Sequence, residues 1–186
     1  MRVIGGTLKS RKFYVPKIRT TRPVTDRAKE TIFNVLGALC EGAVVLDLFA
    51  GSGSLGIEAL SRGAGKVCFV DSERAACLCI SKNLELLDLS AMGRILDQPI
   101  PGAIKSLEKW GEKYTLAFLD PPHNKGLIKK VLYRIDRSDI IMFSGIIVVG
   151  RSNLEGLPQD LKTLSLQREI KIGQTFVSLL TKAGNE

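Results

Sequence analysis

Residues 47–56 read Asp47-Leu48-Phe49-Ala50-Gly51-Ser52-Gly53-Ser54-Leu55-Gly56. They complete a buried-strand run from Ala43 to Leu48 and lead into a helix predicted over about 54–62. Glycine lets a backbone turn tightly and approach a ligand without Cβ interference, and the helix that follows presents free amide donors. Gly51, Gly53 and Gly56 satisfy G-x-G-x-x-G, and Asp71 lies 20 residues beyond Gly51 at the end of the next predicted strand. An acid there can accept hydrogen bonds from both hydroxyls of a ribose.

Outward from this loop, strands and helices alternate. Strands are predicted at 67–70, 94–96, 114–119 and 146–149, and helices at 73–87, 101–109 and 125–136. Two β-prone stretches, 163–171 and 175–181, flank Gly173-Gln174 and read as an antiparallel hairpin. Toward the amino end, Thr25 and Asp26 start a helix over about 26–40. Before it, Arg2–Ile4 and Lys12–Val15 form a small β-hairpin connected through Gly5 and Gly6. Strand–helix alternation implies an α/β fold with a mostly parallel, doubly wound sheet, closed here by an antiparallel hairpin. The organisation expected is a basic hairpin or arm over 1–24 and one domain over 25–186.

The chain has 186 residues, 45% of them hydrophobic and 25% charged, which is enough for one sizeable core and excludes wholesale disorder. The apolar run 140–150 is broken by Ser144 and Gly145 and is too short for a bilayer, so a soluble, non-exported, cytoplasmic protein is expected. Cys40, Cys68, Cys77 and Cys79 contain no CxxC pair, and His123 is the only histidine. They read as reduced core residues, with no metal site. Net charge is +8, but residues 1–30 hold nine basic against two acidic groups, so nearly all the excess sits in one sixth of the chain. Basic charge concentrated in an arm is the footprint of a polyphosphate partner.

The glycine loop alone fits two ribose-bearing cofactors. A dinucleotide would set its pyrophosphate against the loop, where Asp47 repels it. S-adenosylmethionine would set a cationic methionine moiety there, which Asp47 suits. The deciding stretch is Asp120-Pro121-Pro122-His123, after the fourth strand. Each proline fixes φ and removes a donor, leaving carbonyls with a fixed aim. Asp120 and the Pro121 carbonyl can both accept from a planar amino group and favour a pyramidal nitrogen able to attack a sulfonium methyl. His123 offers a flat face to an unstacked base.

These residues together resemble a class I S-adenosylmethionine-dependent methyltransferase acting on a base amino group. The amino-terminal block is more specific. Arg2-Val3-Ile4-Gly5-Gly6, Lys9-Ser10-Arg11-Lys12 and Thr21-Arg22-Pro23-Val24-Thr25-Asp26-Arg27, with Glu30, Phe33 and Asn34, resemble the RsmD family of bacterial 16S rRNA guanine-N2 methyltransferases. The stretch from Leu48 to Ala64 is similar to that family's first cofactor motif almost throughout. The resemblance implies a Rossmann-like, mostly parallel seven-stranded sheet, and methyl transfer from S-adenosylmethionine to N2 of one guanine in 16S rRNA of the small ribosomal subunit; nothing in the sequence demands a partner chain, so a monomer is expected. It implies catalytic roles for Asp120, Pro121, Pro122 and His123, and cofactor contacts from Asp47, Phe49, Gly51, Ser52, Gly53, Asp71, Ser72 and Asp97. RNA phosphates would be gripped by Lys9, Arg11, Lys12, Arg22 and Arg27. His123 stands where relatives usually carry Tyr or Phe, and Gly150 where they often carry Glu. Two other readings compete: a DNA adenine-N6 methyltransferase, and a non-catalytic RNA-binding assembly factor.

Overall fold

The computed structural model describes residues 1–16, 24–122 and 126–184. Seven strands form one sheet: β1 (Val44–Leu48), β2 (Lys66–Asp71), β3 (Gly93–Asp97), β4 (Tyr114–Leu119), β5 (Ile141–Ser152), β6 (Leu164–Ile172) and β7 (Thr175–Lys182). Their spatial order is β3-β2-β1-β4-β5-β7-β6. The first five pair in parallel, and β7 joins β5 and β6 antiparallel. Among the described residues, five α-helices accompany them: α1 (Asp26–Leu36), α2 (Ser54–Ser61), α3 (Arg74–Leu86), α4 (Ile100–Lys109) and α5 (Leu127–Asp136). The α/β class, the parallel core and the closing hairpin agree with the sequence reading.

Side-chain alternation along the strands splits the core into two. On one face Val45, Val67, Phe69, Phe118 and Val148 pack under α1, α2 and α3. On the other, Leu46, Leu48, Val70, Ala117 and Val149 pack under α4 and α5. Val3 and Phe13 from the amino-terminal hairpin are buried in the first of these clusters. Cys40, Cys68, Cys77 and Cys79 are all buried and free, and burial pushes the Cys68 thiol up to about 11. No described helix is long and apolar enough to cross a membrane.

Two boundaries differ from the sequence reading. The first helix ends at Leu36, where Gly37 takes φ +51, and a 3-10 turn covers Gly37–Cys40. The fifth strand starts at Ile141 rather than 146. Its register on β4 shifts between Tyr114 and Leu116, so the chain passes through Ser144 and Gly145 as an irregularity within one strand. The predicted hairpin strands are reduced to a single antiparallel bridge, Arg2 to Lys12: Val3, Ser10 and Phe13 bond across the segment, but the amides of Ile4, Gly5, Leu8 and Tyr14 go to side chains of α2 and α3.

The third glycine of the loop serves packing. A Cβ at Gly56 would meet Phe69 Cε1 at 2.3 Å and Val67 Cγ1 at 2.8 Å, so α2 lies on β2 only because that side chain is missing. Gly102, within α4, has nothing within 4 Å of such a Cβ. Gly56→Ala should therefore cost about 1–3 kcal/mol by overpacking. Gly102→Ala should be neutral or stabilising by up to about 1 kcal/mol. Urea unfolding of the two variants beside wild type checks the contrast.

Candidate active site

Strand order reverses between β1 and β4, and ligands of open α/β sheets bind outside the carboxyl ends at such a point. Registry sets the site there: Leu48 pairs with Val70 and with Leu119, and Leu119 pairs with Val149. The next residues along these four strands are Phe49, Asp71, Asp120 and Gly150, which share one rim of the sheet. Asp97 ends β3 opposite Asp71 and is exposed, as is Ser72.

The glycine loop is held in an uncommon backbone shape. Phe49, Gly51 and Gly53 have φ of +61°, +57° and +77°, respectively. Phe49 is not a glycine, and a left-handed bulky residue costs energy that surrounding structure must over-determine. Asp71 supplies part of that restraint. Its Oδ2 accepts from Gly51 N at 2.8 Å and its Oδ1 from Glu73 N at 2.9 Å. Each oxygen keeps a further lone pair, so the pair of ribose hydroxyls inferred from sequence can still be accepted. A Cβ at Gly51 would have only the Phe49 carbonyl near it, at 4.0 Å, so the loop faces open space there.

Asp47 and Ser52 serve the scaffold as well as the site. Asp47 is 2% exposed and its Oδ2 accepts from Gly56 N at 3.0 Å. Burial pushes its carboxyl up to about 7, against the lowering effect of the Gly56 amide, with Asp120 and Asp71 adding in the same upward direction. Asp71 and Asp120 place negative charge at the rim, joined by Asp47 as it ionises above about pH 7, which suits a cation and opposes a pyrophosphate. Ser52 is buried, and its Oγ donates to Met1 Sδ at 3.9 Å, so that side chain turns to the amino-terminal hairpin.

The most consequential residues that sequence reasoning missed are Asn83 and Glu58. Asn83 is fully buried on α3. Its Nδ2 donates to the carbonyls of Tyr14 and Ser52, both at 3.0 Å, and its Oδ1 accepts from Tyr14 N at 2.8 Å. One carboxamide thereby bolts the hairpin to the glycine loop. Glu58, fully buried on α2, accepts from Ile4 N at 2.9 Å and Gly5 N at 2.8 Å, and pairs with Lys29 and Arg62. A lone acid within the apolar Leu55–Leu60 run was the available signal.

Lys9, Arg11, Lys12 and Arg27 are all exposed, whereas Lys29 is buried. The positive count of the first 30 residues therefore overstates the charge turned to solvent. Arg11 also donates to the Leu86 carbonyl at 2.9 Å, at the end of α3. Arg22 and His123 lie outside the described residues. Pro121 is buried and Pro122 partly so. No group of His, Cys, Asp and Glu suited to a metal occurs among the described residues.

Beside Asp120 opens a cleft of about 620 Å³ between α1, the end of β5 and the β6–β7 turn. Ile32, Leu55, Val148 and Val177 give it apolar walls, and Asp120, Ser152, Asn153 and Gln174 are polar groups along it. Gly150 belongs to this surface: a Cβ there would sit 2.3 Å from Asp120 Oδ1. A side chain at position 150 would require Asp120 to leave this rotamer.

The family described as Conserved hypothetical protein 95 matches residues 1–181. The Ribosomal RNA small subunit methyltransferase D of Escherichia coli (strain K12) is 35% identical over 96% of this chain and 88% of its own length. The chain belongs to the RsmD family. YlbH of Bacillus subtilis (strain 168), another relative, is 36% identical over 99% of this chain and 100% of its own. Among solved structures, yhhF from Escherichia coli has a TM-score of 0.87 at 34% identity, covering 100% of this chain and 99% of that one. An RNA methyltransferase from Salinibacter ruber, solved in complex with S-adenosyl-L-homocysteine, shares the fold at TM-score 0.70 and 11% identity, over 89% of this chain and 96% of its own.

The buried acid of this family member has a measurable signature. With its folded pKa raised from 3.8 to about 7, neutral Asp47 contributes stability in full below pH 3.8. That contribution falls as pH rises and is gone above about 7. Asp47→Asn keeps an acceptor for Gly56 N and cannot ionise. Its urea midpoint relative to wild type should rise from pH 4 to about pH 7 and level off above it; a difference independent of pH would show that Asp47 stays ionised in the folded protein.

Proposed function

We propose that this protein transfers the methyl group of S-adenosylmethionine to the exocyclic N2 of one guanine in 16S rRNA of the small ribosomal subunit, acting as a monomer in the cytoplasm. The observation that carries the reading is the meeting of Asp120 with the glycine loop and an apolar cleft at one switch point of the sheet. Membership in a family with a member named Ribosomal RNA small subunit methyltransferase D supports rRNA as the substrate class.

The residues present fit the cofactor. Gly51 leaves open space at the loop, Asp71 has acceptor capacity for a ribose, and Asp47, Asp71 and Asp120 favour a cation. Phe49, Ser52, Gly53, Ser72 and Asp97 are the further residues assigned to hold it, with Asp97 beside the adenine. When bound, S-adenosylmethionine supplies an electrophilic methyl group on a sulfonium sulfur. Asp120 and the Pro121 carbonyl accept from the two hydrogens of the guanine amino group. This holds the nitrogen pyramidal, with its lone pair facing the methyl, while Pro122 and His123 shape and stack the base. The new N–C bond forms as the sulfonium C–S bond breaks, and the surplus proton on N2 passes to Asp120 Oδ or to water. Most of the acceleration comes from positioning. Lys9, Arg11, Lys12, Arg22 and Arg27 hold rRNA phosphates.

Asp120→Ala should abolish labelled-methyl transfer to small subunits lacking the modification and leave cofactor binding by calorimetry intact. Gly150→Ala should act in the same direction, because its Cβ would displace Asp120 Oδ1. Full turnover by Asp120→Ala would overturn the mechanism, and label recovered on duplex DNA would favour the adenine-N6 reading. Replacing Lys9, Arg11 and Lys12 together by Gln should lower the slope of log affinity for rRNA against log salt by about 2–3. Filter binding from 50 to 300 mM salt, about one Debye-length regime to the next, measures it.

A further inference from the structure

The cleft beside Asp120 is asymmetric, and its far end has a chemistry that the methyl transfer itself does not use. Val148, Gly150 and Ser152 alternate along β5 and present one face to the cleft. Beyond them Asn153 meets Gln174 across the end of the sheet, the Asn153 N–H donating to the Gln174 carbonyl at 3.2 Å. Gly173 turns the β6–β7 connection with φ +62. Two exposed carboxamides are therefore carried on a backbone fixed by the sheet, and among the described residues neither amide group has a hydrogen-bond partner.

We propose that Asn153 and Gln174 are the residues that select guanine, by reading its N1–H and O6 while Asp120 holds its 2-amino group. The proposal rests on the reading of this cleft as the target-base site. A carboxamide offers an NH2 donor and a C=O acceptor side by side in one plane, at every pH in the physiological range. Its C=O accepts from a guanine N1–H, and its NH2 donates to O6. Asn and Gln recognise the edges of bases in this two-pronged way elsewhere.

The dimensions agree. Asn153 follows the last residue of β5, three residues beyond Gly150, against which Asp120 Oδ1 rests, so the backbone between them spans at most roughly 10 Å. That matches the amino-to-carbonyl edge of a guanine with a hydrogen bond of about 2.9 Å at each end. Gly150 contributes no side chain to that strand face, and the small side chain of Ser152 is what lies between the two ends there. The apolar walls formed by Ile32, Leu55 and Val177 suit the faces of a flat ring.

The discriminating probe is small subunits reconstituted with 16S rRNA carrying either guanine or 2-aminopurine at the target position. Both bases keep the 2-amino group, but 2-aminopurine lacks O6 and the N1–H. Wild type should prefer guanine in kcat/KM by about 10- to 100-fold. In Asn153→Ala/Gln174→Ala the guanine value should drop towards that of 2-aminopurine, so that the preference collapses. Both substitutions are at exposed positions, and a circular dichroism melt matching wild type establishes that the fold is kept. If the two values fall together, the amides hold sugar or phosphate, and the inference is overturned. Equal rates on both bases by wild type overturn it as well, while leaving the methyltransferase reading in place. No transfer to either base by wild type sinks both.

Discussion

Glu58 joins three parts of the chain that are far apart in sequence. Its carboxylate takes the amides of Ile4 and Gly5 from the hairpin, the ammonium of Lys29 from α1 and the guanidinium of Arg62 from its own helix. It is fully buried, as is Lys29, whose Nζ also donates to the Arg2 carbonyl at 2.6 Å. Removing one partner of such a group leaves an uncompensated buried charge, at about 3–5 kcal/mol. Burial holds the Lys29 ammonium below its ordinary range even with Glu58 and Asp26 opposing that shift. The amino-terminal segment is thus bound to the sheet domain by ionic and amide contacts, and Val3 and Phe13 add apolar ones.

From that junction a chain of contacts runs to the cofactor loop. Ser61 takes the Leu8 amide and donates to the Gly5 carbonyl, and Gly6 at φ +73 lies so close to Ser61 that a Cβ would stand 1.8 Å from its carbonyl oxygen. At the other end of the hairpin, Asn83 clamps Tyr14 and Ser52 together. The basic residues Lys9, Arg11 and Lys12 lie between these two fastenings. A phosphate backbone gripped there would be held at a set distance from the rim of β1 and β4, which is what positional catalysis requires. The hairpin works as a fixed extension of the site, and its short strand pairing goes with this: the amides of Ile4, Gly5, Leu8 and Tyr14 are committed to α2 and α3.

Much of the fold and part of the site were legible in the primary structure. Strand–helix alternation, the positive-φ glycines of the loop, Asp71 and Asp120 are local patterns, and local patterns report local constraints: period, turn geometry, an acid at a strand end. Gly56 was legible as part of a motif, but its reason was not, since the neighbour it makes room for is Phe69 on another strand. The start of β5 was missed because Ser144-Gly145 reads as a break, whereas pairing with β4 carries the strand across it. The roles of Glu58 and Asn83 are not legible locally, because the hairpin groups they hold lie 53 to 69 residues away.

By itself, then, the order of residues determined the α/β class, the placement of the cofactor loop and the acids that face it, because each depends on neighbours within one strand–turn–helix unit. Only the tertiary structure decided that Lys29 is buried rather than part of a basic face, that Gly150 is bare so Asp120 can stand where it does, and that Asn153 and Gln174 share a cleft with that acid. Those outcomes depend on which strands lie side by side, and the reversal of strand order between β1 and β4 is a property of the whole sheet.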